Sequence, residues 1–475
     1  MFDTLTADRN RGSTDPTRHI SRSRAISREE ALSWYPELPS DALTGGVVFS
    51  DGQIHSPARL ALSFVHSAVK TERTAAANYV AVHRFLVERS RVVGVEAEDT
   101  IDGERFEIRA RTVLNATGPW AAELLQKGLG LSLGPRTPTF SRDLALVTRR
   151  RLHQDVGLAC PIPSSDVDAV IDRGGRHLFL LPWRGLTLVG VWHKVHDGSP
   201  DHVPVRREEL DAFVQEANEA YPGLRLEPKD ICEVLSGLVL FGSGAQKSKA
   251  HRFGKRSLLI DHEVEHNIQG LISLVGVRAT VARRMAQRAV DLVYRKLTRP
   301  PADCHTERVP VHGGDFTSFA GLLSAIRRDA PELELTGHTK AIDLAHNYGS
   351  EYGPVVKHLR SDTSLAETVG NSSILRAEVA HAVRDEMAIR LEDVVFRRTD
   401  LATGRRPTNE ELSVCARIMA QELDWNDERV EEEVARVGSA FELPERSNQT
   451  VERPNAPPGK SGTRPDSGRP AGAGR

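Results

Sequence analysis

The spacing of apolar residues changes once along the chain, and this change constrains the fold more than any other feature. Over residues 27–299, short runs rich in Val, Ile and Leu alternate with turns that carry Gly and Pro. Beyond Arg299-Pro300-Pro301, a natural helix stop, apolar residues recur every three or four positions. The sequence therefore predicts an α/β (α+β) body over residues 27–299 and an all-α C-terminal domain over residues 300–443.

Both ends of the chain lack the apolar residues that a packed segment needs. Residues 1–26 are polar and rich in Arg and Ser, and residues 444–475 are rich in Pro and Gly. We therefore expect a disordered lead-in over 1–26 and a disordered tail over 444–475.

Charge and cysteine usage exclude several classes of protein. The 63 Lys and Arg residues nearly balance the 65 Asp and Glu residues, so the chain has no polyelectrolyte attraction for nucleic acid. The four cysteines form no C-x-x-C pair, which fits a reducing compartment. No apolar run approaches the roughly 18 residues that a membrane span needs, and the first residues contain no secretory signal. We expect a cytoplasmic protein.

A first strand–turn–helix corner is predicted at residues 112–128. An apolar strand ends at Ala116-Thr117-Gly118, where small residues let the backbone approach a bulky partner closely. Pro119 suits the first turn of the helix that follows. An ordinary strand-to-helix turn has the same local pattern.

A second corner is predicted where the apolar run 271–275 meets Gly276-Val277-Arg278. The amphipathic helix that follows would point free N–H groups and its positive dipole end back over Gly276. A group that accumulates negative charge is stabilised at such a position, and Arg278 adds a permanent cation. The alternative is that Thr280 is a simple N-cap and that Arg278 is solvated.

Two further motifs are weaker. His262-Glu263-Val264-Glu265-His266 matches the H-E-x-x-H pattern of zinc peptidases, which requires both His on one helix face. An apolar run precedes it and turn-forming residues follow it, so we expect a hairpin here and no metal site. The G-x-G at Gly242-Ser243-Gly244 lacks the third glycine of a dinucleotide-binding loop.

Taken in order, a series of fragments resembles the FAD-dependent glycerol-3-phosphate dehydrogenase/oxidase family, a branch of the fold that contains D-amino-acid oxidase. The resemblance covers about residues 27–441. Its fragments are Leu43-Thr44-Gly45-Gly46, Ala58-Arg59-Leu60, Ala77-Asn78-Tyr79, Asn115-Ala116-Thr117-Gly118-Pro119-Trp120, Thr187-Leu188-Val189-Gly190, Tyr348-Gly349-Ser350-Glu351, Arg384-Asp385-Glu386-Met387 and Arg397-Arg398-Thr399.

The resemblance implies an FAD cofactor and the oxidation of sn-glycerol 3-phosphate to dihydroxyacetone phosphate. It places Val82 at the adenine end of FAD and Ala116, Thr117 and Gly118 along the adenosine–pyrophosphate region. Gly276, Val277 and Thr280 would sit over the pyrimidine edge of the flavin. Arg278 stands where the family often has Lys, and the charge is kept.

The chain departs from the family at two places. Residues 1–26 contain no G-x-G-x-x-G loop, so we expect a family member without its first βαβ unit that binds FAD poorly. In the substrate region Val239 replaces the family's Arg, and Gly190-Val191-Trp192-His193 replaces Gly-Thr-Thr-Asp. The replacement groups for handling the phosphate or the proton are predicted to be His193, Lys194, Lys255 and Arg256, with His193 catalytic.

Two other functions remain open at the level of the sequence. The first is a non-catalytic remnant or one half of a split protein, because the phosphate-binding loop is missing. The second is a related flavoprotein that acts on another hydroxy acid or amine. The resemblance also implies an electron acceptor, a quinone or another, and it leaves peripheral membrane contact and a homo-oligomer open.

Overall fold

The computed structural model describes residues 4, 6–11, 15–39, 41, 43–134, 137–153, 155–162, 176–243, 257–335 and 339–441. The strands are β1 (Arg24–Ser27), β2 (Gly45–Val48), β3 (Val80–Glu88), β4 (Arg91–Asp99), β5 (Arg105–Arg109), β6 (Val113–Asn115), β7 (Pro138–Thr148), β8 (Leu158–Ile162), β9 (Arg176–Trp183), β10 (Leu186–His196), β11 (Ile231–Ser243), β12 (Leu258–Asp261) and β13 (Leu271–Val275). The helices are α1 (Arg28–Trp34), α2 (Pro57–Val69), α3 (Ala121–Leu129), α4 (Arg207–Ala220), α5 (His262–His266), α6 (Ala282–Lys296), α7 (Phe319–Asp329), α8 (Glu332–Leu335), α9 (Thr339–Tyr348), α10 (Gly353–Ser361), α11 (Arg376–Arg384), α12 (Asn409–Leu423) and α13 (Asp427–Ser439).

The largest sheet has the strand order β11–β7–β10–β9–β8, with antiparallel neighbours throughout. Helix α4 covers one of its faces, where Leu210 and Phe213 pack with Leu144 and Leu146 of β7 in one buried cluster. The side chains of β7 alternate between the two faces, because successive residues of a strand point in opposite directions. The face opposite α4 is therefore the one that carries Ser141 and Asp143.

A smaller sheet has the order β12–β13–β6, and β13 runs parallel to β6. Every residue of β13 is buried, which explains why this strand is a continuous apolar run rather than an alternating one. A third sheet, β3–β4–β5, packs against α3 through Phe85, Val92 and Leu125. Val82 lies at the margin of the same cluster.

The C-terminal helices α7 to α13 enclose a core of their own, which includes Ile326, Val355, Ala380 and Met419. No helix or strand occurs between α6 and α7, in the connection that contains the predicted domain boundary. The α/β body and the all-α domain expected from the sequence are both confirmed. None of the helices in the described part of the chain is long and apolar enough to cross a membrane.

A buried ion pair joins the body to the helical domain. The guanidinium of Arg59 on α2 lies 2.6 Å from Glu386 Oε2, and its Nε donates to the backbone oxygen of Asn347 at 3.1 Å. The same guanidinium stacks over the ring of Tyr348, 4.4 Å from its centroid. Farther along the boundary, Arg184 Nη1 donates to Asp400 Oδ1 at 2.8 Å.

Two sequence expectations about local structure are wrong. Strand β1 begins at Arg24, inside the predicted lead-in, because Arg24 pairs with Val48 of β2. Strands β12 and β13 pair antiparallel as the expected hairpin requires, but residues 262–266 between them form the short helix α5 and not strand, because the Asp261 side chain accepts from Glu263 N and caps the turn. Asn267, with φ +55°, then ends the turn in the left-handed region. The predicted tail lies outside the described residues.

Candidate active site

The two predicted corners lie at the same edge of one sheet. Strands β6 and β13 are parallel, and Ser273 lies directly opposite Asn115. Because parallel strands end at a common edge, Ala116-Thr117-Gly118 and Gly276-Val277-Arg278 leave the sheet side by side. The carboxyl edge of a parallel sheet is where open α/β folds bind their ligands.

Asn115 fixes the shape of the first corner from inside. It is buried, and its Oδ1 accepts from Thr117 Oγ1 at 2.7 Å while its Nδ2 donates to the backbone oxygen of Ala121 at 3.2 Å. Gly118 has φ +61° and starts a 3-10 turn, so glycine is favoured here by backbone conformation. A Cβ built on Gly118 meets no atom within 4 Å, so there is open space beside it.

The second corner leaves helix amides uncovered. A 3-10 turn, Ala279–Val281, precedes α6, and no side chain of the described residues caps either element. Thr280 lies inside this turn, so the simple N-cap interpretation of Thr280 is wrong. The free N–H groups and Arg278 together make this corner electropositive.

Gly276 is required by close packing as well as by its φ of +72°. A Cβ there would lie 2.2 Å from Cδ2 of Leu240 on β11. The second corner therefore abuts the five-stranded sheet at Leu240. Three residues before Leu240, Gly237 pairs with Asp143 of β7, and Asp143 pairs with His193 of β10. Strand geometry puts the Cα of His193 about 14 Å from that of Leu240.

Asp143 and His193 form a hydrogen-bonded pair on the face opposite α4. His193 Nδ1 lies 2.7 Å from Asp143 Oδ1, which also accepts from Ser141 Oγ at 2.8 Å. A carboxylate at this position holds the proton on Nδ1 and leaves the lone pair on Nε2, which is the arrangement of a general base. His193 is predicted from the sequence, whereas Asp143 is not. The alternation Ser141-x-Asp143 shows that these two share a face, but it does not show which residue lies opposite them.

Lys194 does not share the His193 site. Its Nζ lies 3.0 Å from Glu209 Oε1 on α4, and Arg142 Nη2 binds the same oxygen at 2.7 Å. Burial raises the pKa of Glu209, but the hydrogen bonds from Arg142, from the backbone of Arg206 and from Lys194 lower it to about 2. Lys194 therefore pairs with Glu209 on the α4 face of the sheet, opposite the face of His193.

The other predicted residues are placed as follows. Val82 pairs with Ala97 in the sheet that packs against α3, the helix that follows the first corner. Val239 lies in β11 opposite Ser141, so an apolar side chain stands next to the Asp143–His193 pair. Lys255 and Arg256 lie outside the described residues, as does Gly244 of the G-x-G motif.

The H-E-x-x-H segment brings its two imidazoles together. On α5, Nδ1 of His262 lies 3.1 Å from Nδ1 of His266, and His262 Nε2 lies 2.8 Å from Ser273 Oγ. Glu263 is paired with Lys296 at 2.6 Å and does not face a metal-bound water. No third ligand joins this pair among the described residues. Burial lowers the pKa of His262 to about 4, so its ring is neutral.

The residues at the shared edge fit the flavin end of FAD. Large apolar side chains are exposed around both corners, which a flat aromatic ring system would cover: they are Leu114, Trp120, Val277 and Val281. Arg278 and the α6 amides suit the negative charge that a reduced flavin carries. The described residues include no glycine-rich phosphate loop between a strand and a helix.

Comparison with known proteins agrees with this geometry. A family model described as FAD dependent oxidoreductase matches residues 6–256, and one described as the C-terminal domain of alpha-glycerophosphate oxidase matches residues 304–430. A crystal structure of glycerol-3-phosphate dehydrogenase from Bacillus halodurans complexed with FAD superposes with a TM-score of 0.70. That structure is 25% identical, and the match covers 87% of this chain and 78% of the other.

Curated relatives are also named glycerol-3-phosphate dehydrogenase. A glycerol-3-phosphate dehydrogenase of Synechocystis sp. is 27% identical over 427 residues, which are 86% of this chain and 73% of that protein. The mitochondrial glycerol-3-phosphate dehydrogenase of Bos taurus is 26% identical over 429 residues, and the chain spans only 56% of its length. The resemblance seen in the sequence is confirmed: the chain belongs to the family of FAD-dependent oxidoreductases that includes glycerol-3-phosphate dehydrogenase.

Proposed function

We propose that this chain oxidises the C2 hydroxyl of sn-glycerol 3-phosphate to the ketone of dihydroxyacetone phosphate. The observation that carries the proposal is the hydrogen-bonded Asp143–His193 pair, which lies on the face of the five-stranded sheet opposite α4. The names of the relatives support this substrate class. The oxidation removes one proton and one hydride, so the site needs a base and a hydride acceptor. When bound, FAD supplies the acceptor.

His193 would take the hydroxyl proton at Nε2 as the hydride leaves C2. The Asp143 carboxylate then stabilises the imidazolium that forms, through the 2.7 Å contact at Nδ1. Ser141 holds the Asp143 oxygen in place from the same strand. Asp143 is therefore a positioning residue, and His193 is the proposed catalytic base.

At the second corner Arg278 and the amides of α6 would stabilise the negative charge that develops on the cofactor during the reaction. Such donors act without reorganisation, because the 3-10 turn and the helix hold them in place. The substrate phosphate needs cations of its own. Because Lys194 is engaged with Glu209, we retain Lys255 and Arg256 as the proposed phosphate ligands.

The proposal is tested on the full purified chain with added FAD. We expect a bound flavin spectrum and sn-glycerol 3-phosphate-dependent reduction of an artificial quinone. His193→Gln should lower kcat about 100- to 10,000-fold, which is the usual contribution of general-base catalysis. The kcat of Asp143→Asn should lie between that of the wild type and that of His193→Gln. His196→Gln is the matched control on the same strand and should have wild-type kcat. Equal loss of activity in His196→Gln and His193→Gln would contradict the assignment.

Two other functions are separated by the same experiment. A non-catalytic remnant binds no FAD and turns over no substrate. A flavoprotein for another hydroxy acid or amine binds FAD but responds only to other members of a substrate panel. Four further properties stay proposals: a quinone acceptor, peripheral membrane contact, a homo-oligomer and a cytoplasmic location. The quinone assay tests the first, cell fractionation tests membrane contact and location, and sedimentation tests the oligomeric state.

A further inference from the structure

A cluster of two histidines and one aspartate lies in the helical domain, far in sequence from the candidate active site. His358 comes from α10, while His381 and Asp385 lie four residues apart at the end of α11. One donor atom from each residue lies within 4.8 Å of the other two. Of the described residues, this is the one group of three or more His, Cys, Asp or Glu side chains with that arrangement.

The distances converge on one carboxylate oxygen. Asp385 Oδ2 lies 2.6 Å from His358 Nε2 and 2.8 Å from His381 Nδ1. Both imidazoles are largely buried, and the Asp385 side chain is 42% exposed, so the cluster opens to solvent on one side only. This leaves room for a water molecule as a fourth ligand.

The surrounding groups orient His381 as a metal ligand. Glu386 Oε1 lies 3.4 Å from His381 Nε2 and favours a proton on that nitrogen. Nδ1 then faces Asp385 Oδ2 at 2.8 Å, and a positive charge must lie between these two atoms, supplied either by a second proton on the imidazole or by a metal ion. In metal sites, the ring nitrogen of a histidine ligand that does not bind the metal commonly donates its proton to a carboxylate. Arg59 holds Glu386 in turn.

We propose that His358, His381 and Asp385 bind a divalent transition-metal ion, Zn²⁺, which clips α10 to α11. Two imidazole nitrogens, one carboxylate oxygen and a water are a common tetrahedral donor set for zinc. Bonds of about 2.0–2.1 Å place neighbouring ligands about 3.3 Å apart, so the cluster opens slightly when the ion enters. Asp385 follows the last residue of α11 and is half-exposed, so it is the ligand that moves.

Arg384 is the group that must adjust. Its Nη1 lies 3.1 Å from His358 Nδ1, and a zinc ion on Nε2 shifts the His358 proton to Nδ1. Arg384 already donates through Nε to Glu422 at 2.8 Å, and this pair lies at the exposed end of the cluster. Its guanidinium can therefore turn toward Glu422 and remain paired when the ion binds.

The test is equilibrium dialysis of the full chain against micromolar ZnCl₂, followed by elemental analysis and thermal unfolding. We expect one zinc per chain and a higher Tm with zinc. His358→Gln and Asp385→Asn should each weaken zinc binding at least about 100-fold, since loss of even an outer-sphere partner costs about 10- to 100-fold. His346→Gln, in α9 of the same domain, is the matched control and should keep the zinc.

His262→Gln distinguishes this site from the imidazole pair on α5, and it should also keep the zinc. No bound zinc in the wild type overturns the proposal. Zinc that is lost in His262→Gln but kept in His358→Gln overturns it as well. None of these measurements depends on flavin binding or turnover, so the metal site and the proposed oxidoreductase activity stand or fall separately.

Discussion

Removal of the Arg59 guanidinium is expected to destabilise the junction between the body and the helical domain. In Arg59→Met the side chain keeps much of its length but loses the 2.6 Å ion pair to Glu386. Glu386 is then left buried with His381 as its remaining charged partner. Removing one member of a buried ion pair typically costs about 3–5 kcal/mol, because the other charge is left without full compensation.

The pKa of Glu386 leads to a similar estimate of the loss in the free energy of unfolding. Burial raises the pKa of Glu386, but the hydrogen bond from His381 and the charge of Arg59 lower it from 4.5 to about 2. A shift of that size corresponds to about 3 kcal/mol in favour of the folded state. Because the folded pKa is depressed, this stabilisation is present at neutral pH and is lost as the pH falls from about 4.5 toward 2. His381 supplies part of it, so we expect Arg59→Met to cost about 3 kcal/mol after its lost contact with Tyr348 is included.

The assay is urea unfolding at pH 7, followed by far-UV circular dichroism and tryptophan fluorescence. Glu386→Gln is measured beside Arg59→Met and the double variant. If the two groups are coupled, the double variant loses less than the sum of the single losses, by about 1–3 kcal/mol. Arg84→Met, which removes an exposed ion pair with Glu96, is the control and should leave the unfolding midpoint unchanged. A cost below about 1 kcal/mol for Arg59→Met, or strict additivity, would refute the reasoning.

Two further predictions concern one glycine and one buried carboxyl group. Gly276→Ala should cost about 1–3 kcal/mol and weaken flavin binding, because its Cβ would lie 2.2 Å from Leu240 and its φ is +72°. Gly237→Ala, where a Cβ meets nothing within 4 Å, should leave Tm unchanged. Burial raises the pKa of Glu378 to about 7, so the folded state holds a proton that the unfolded chain releases near pH 4.5. The stabilisation that this protonated carboxyl group contributes to the folded state is fully present below pH 4.5 and is lost as the pH rises through 7. Glu378→Gln should therefore have a smaller fall of Tm between pH 5 and 8 than the wild type. The carboxyl group of Glu378 accepts a hydrogen bond from Tyr348 Oη at 3.1 Å. An identical pH profile of Tm in the wild type and Glu378→Gln would show that this carboxyl group is not protonated in the folded state.

The elements of the fold were largely predictable because their signals are local. Apolar periodicity identified the helical domain, and small residues after apolar runs identified the corners at Gly118 and Gly276. The antiparallel strands on either side of residues 262–266 follow from their apolar runs, but the helix between them does not, although Asp261 and Asn267 carry the signals for a capped turn. Those signals compete with the neighbouring strand pattern, and a five-residue helix has too few positions to show a period.

The sequence by itself determined most of the strands, helices and corners, since backbone propensity and turn chemistry act over a few neighbouring positions. Only the tertiary structure decided which side chains meet. The register between β7 and β10 sets Asp143 opposite His193 and turns Lys194 toward Glu209 on the other face. A shift of one residue would exchange those faces, and register depends on packing between strands that lie about 50 residues apart. For the same reason, the contact of Arg59 with Glu386 across 327 residues has no local signal.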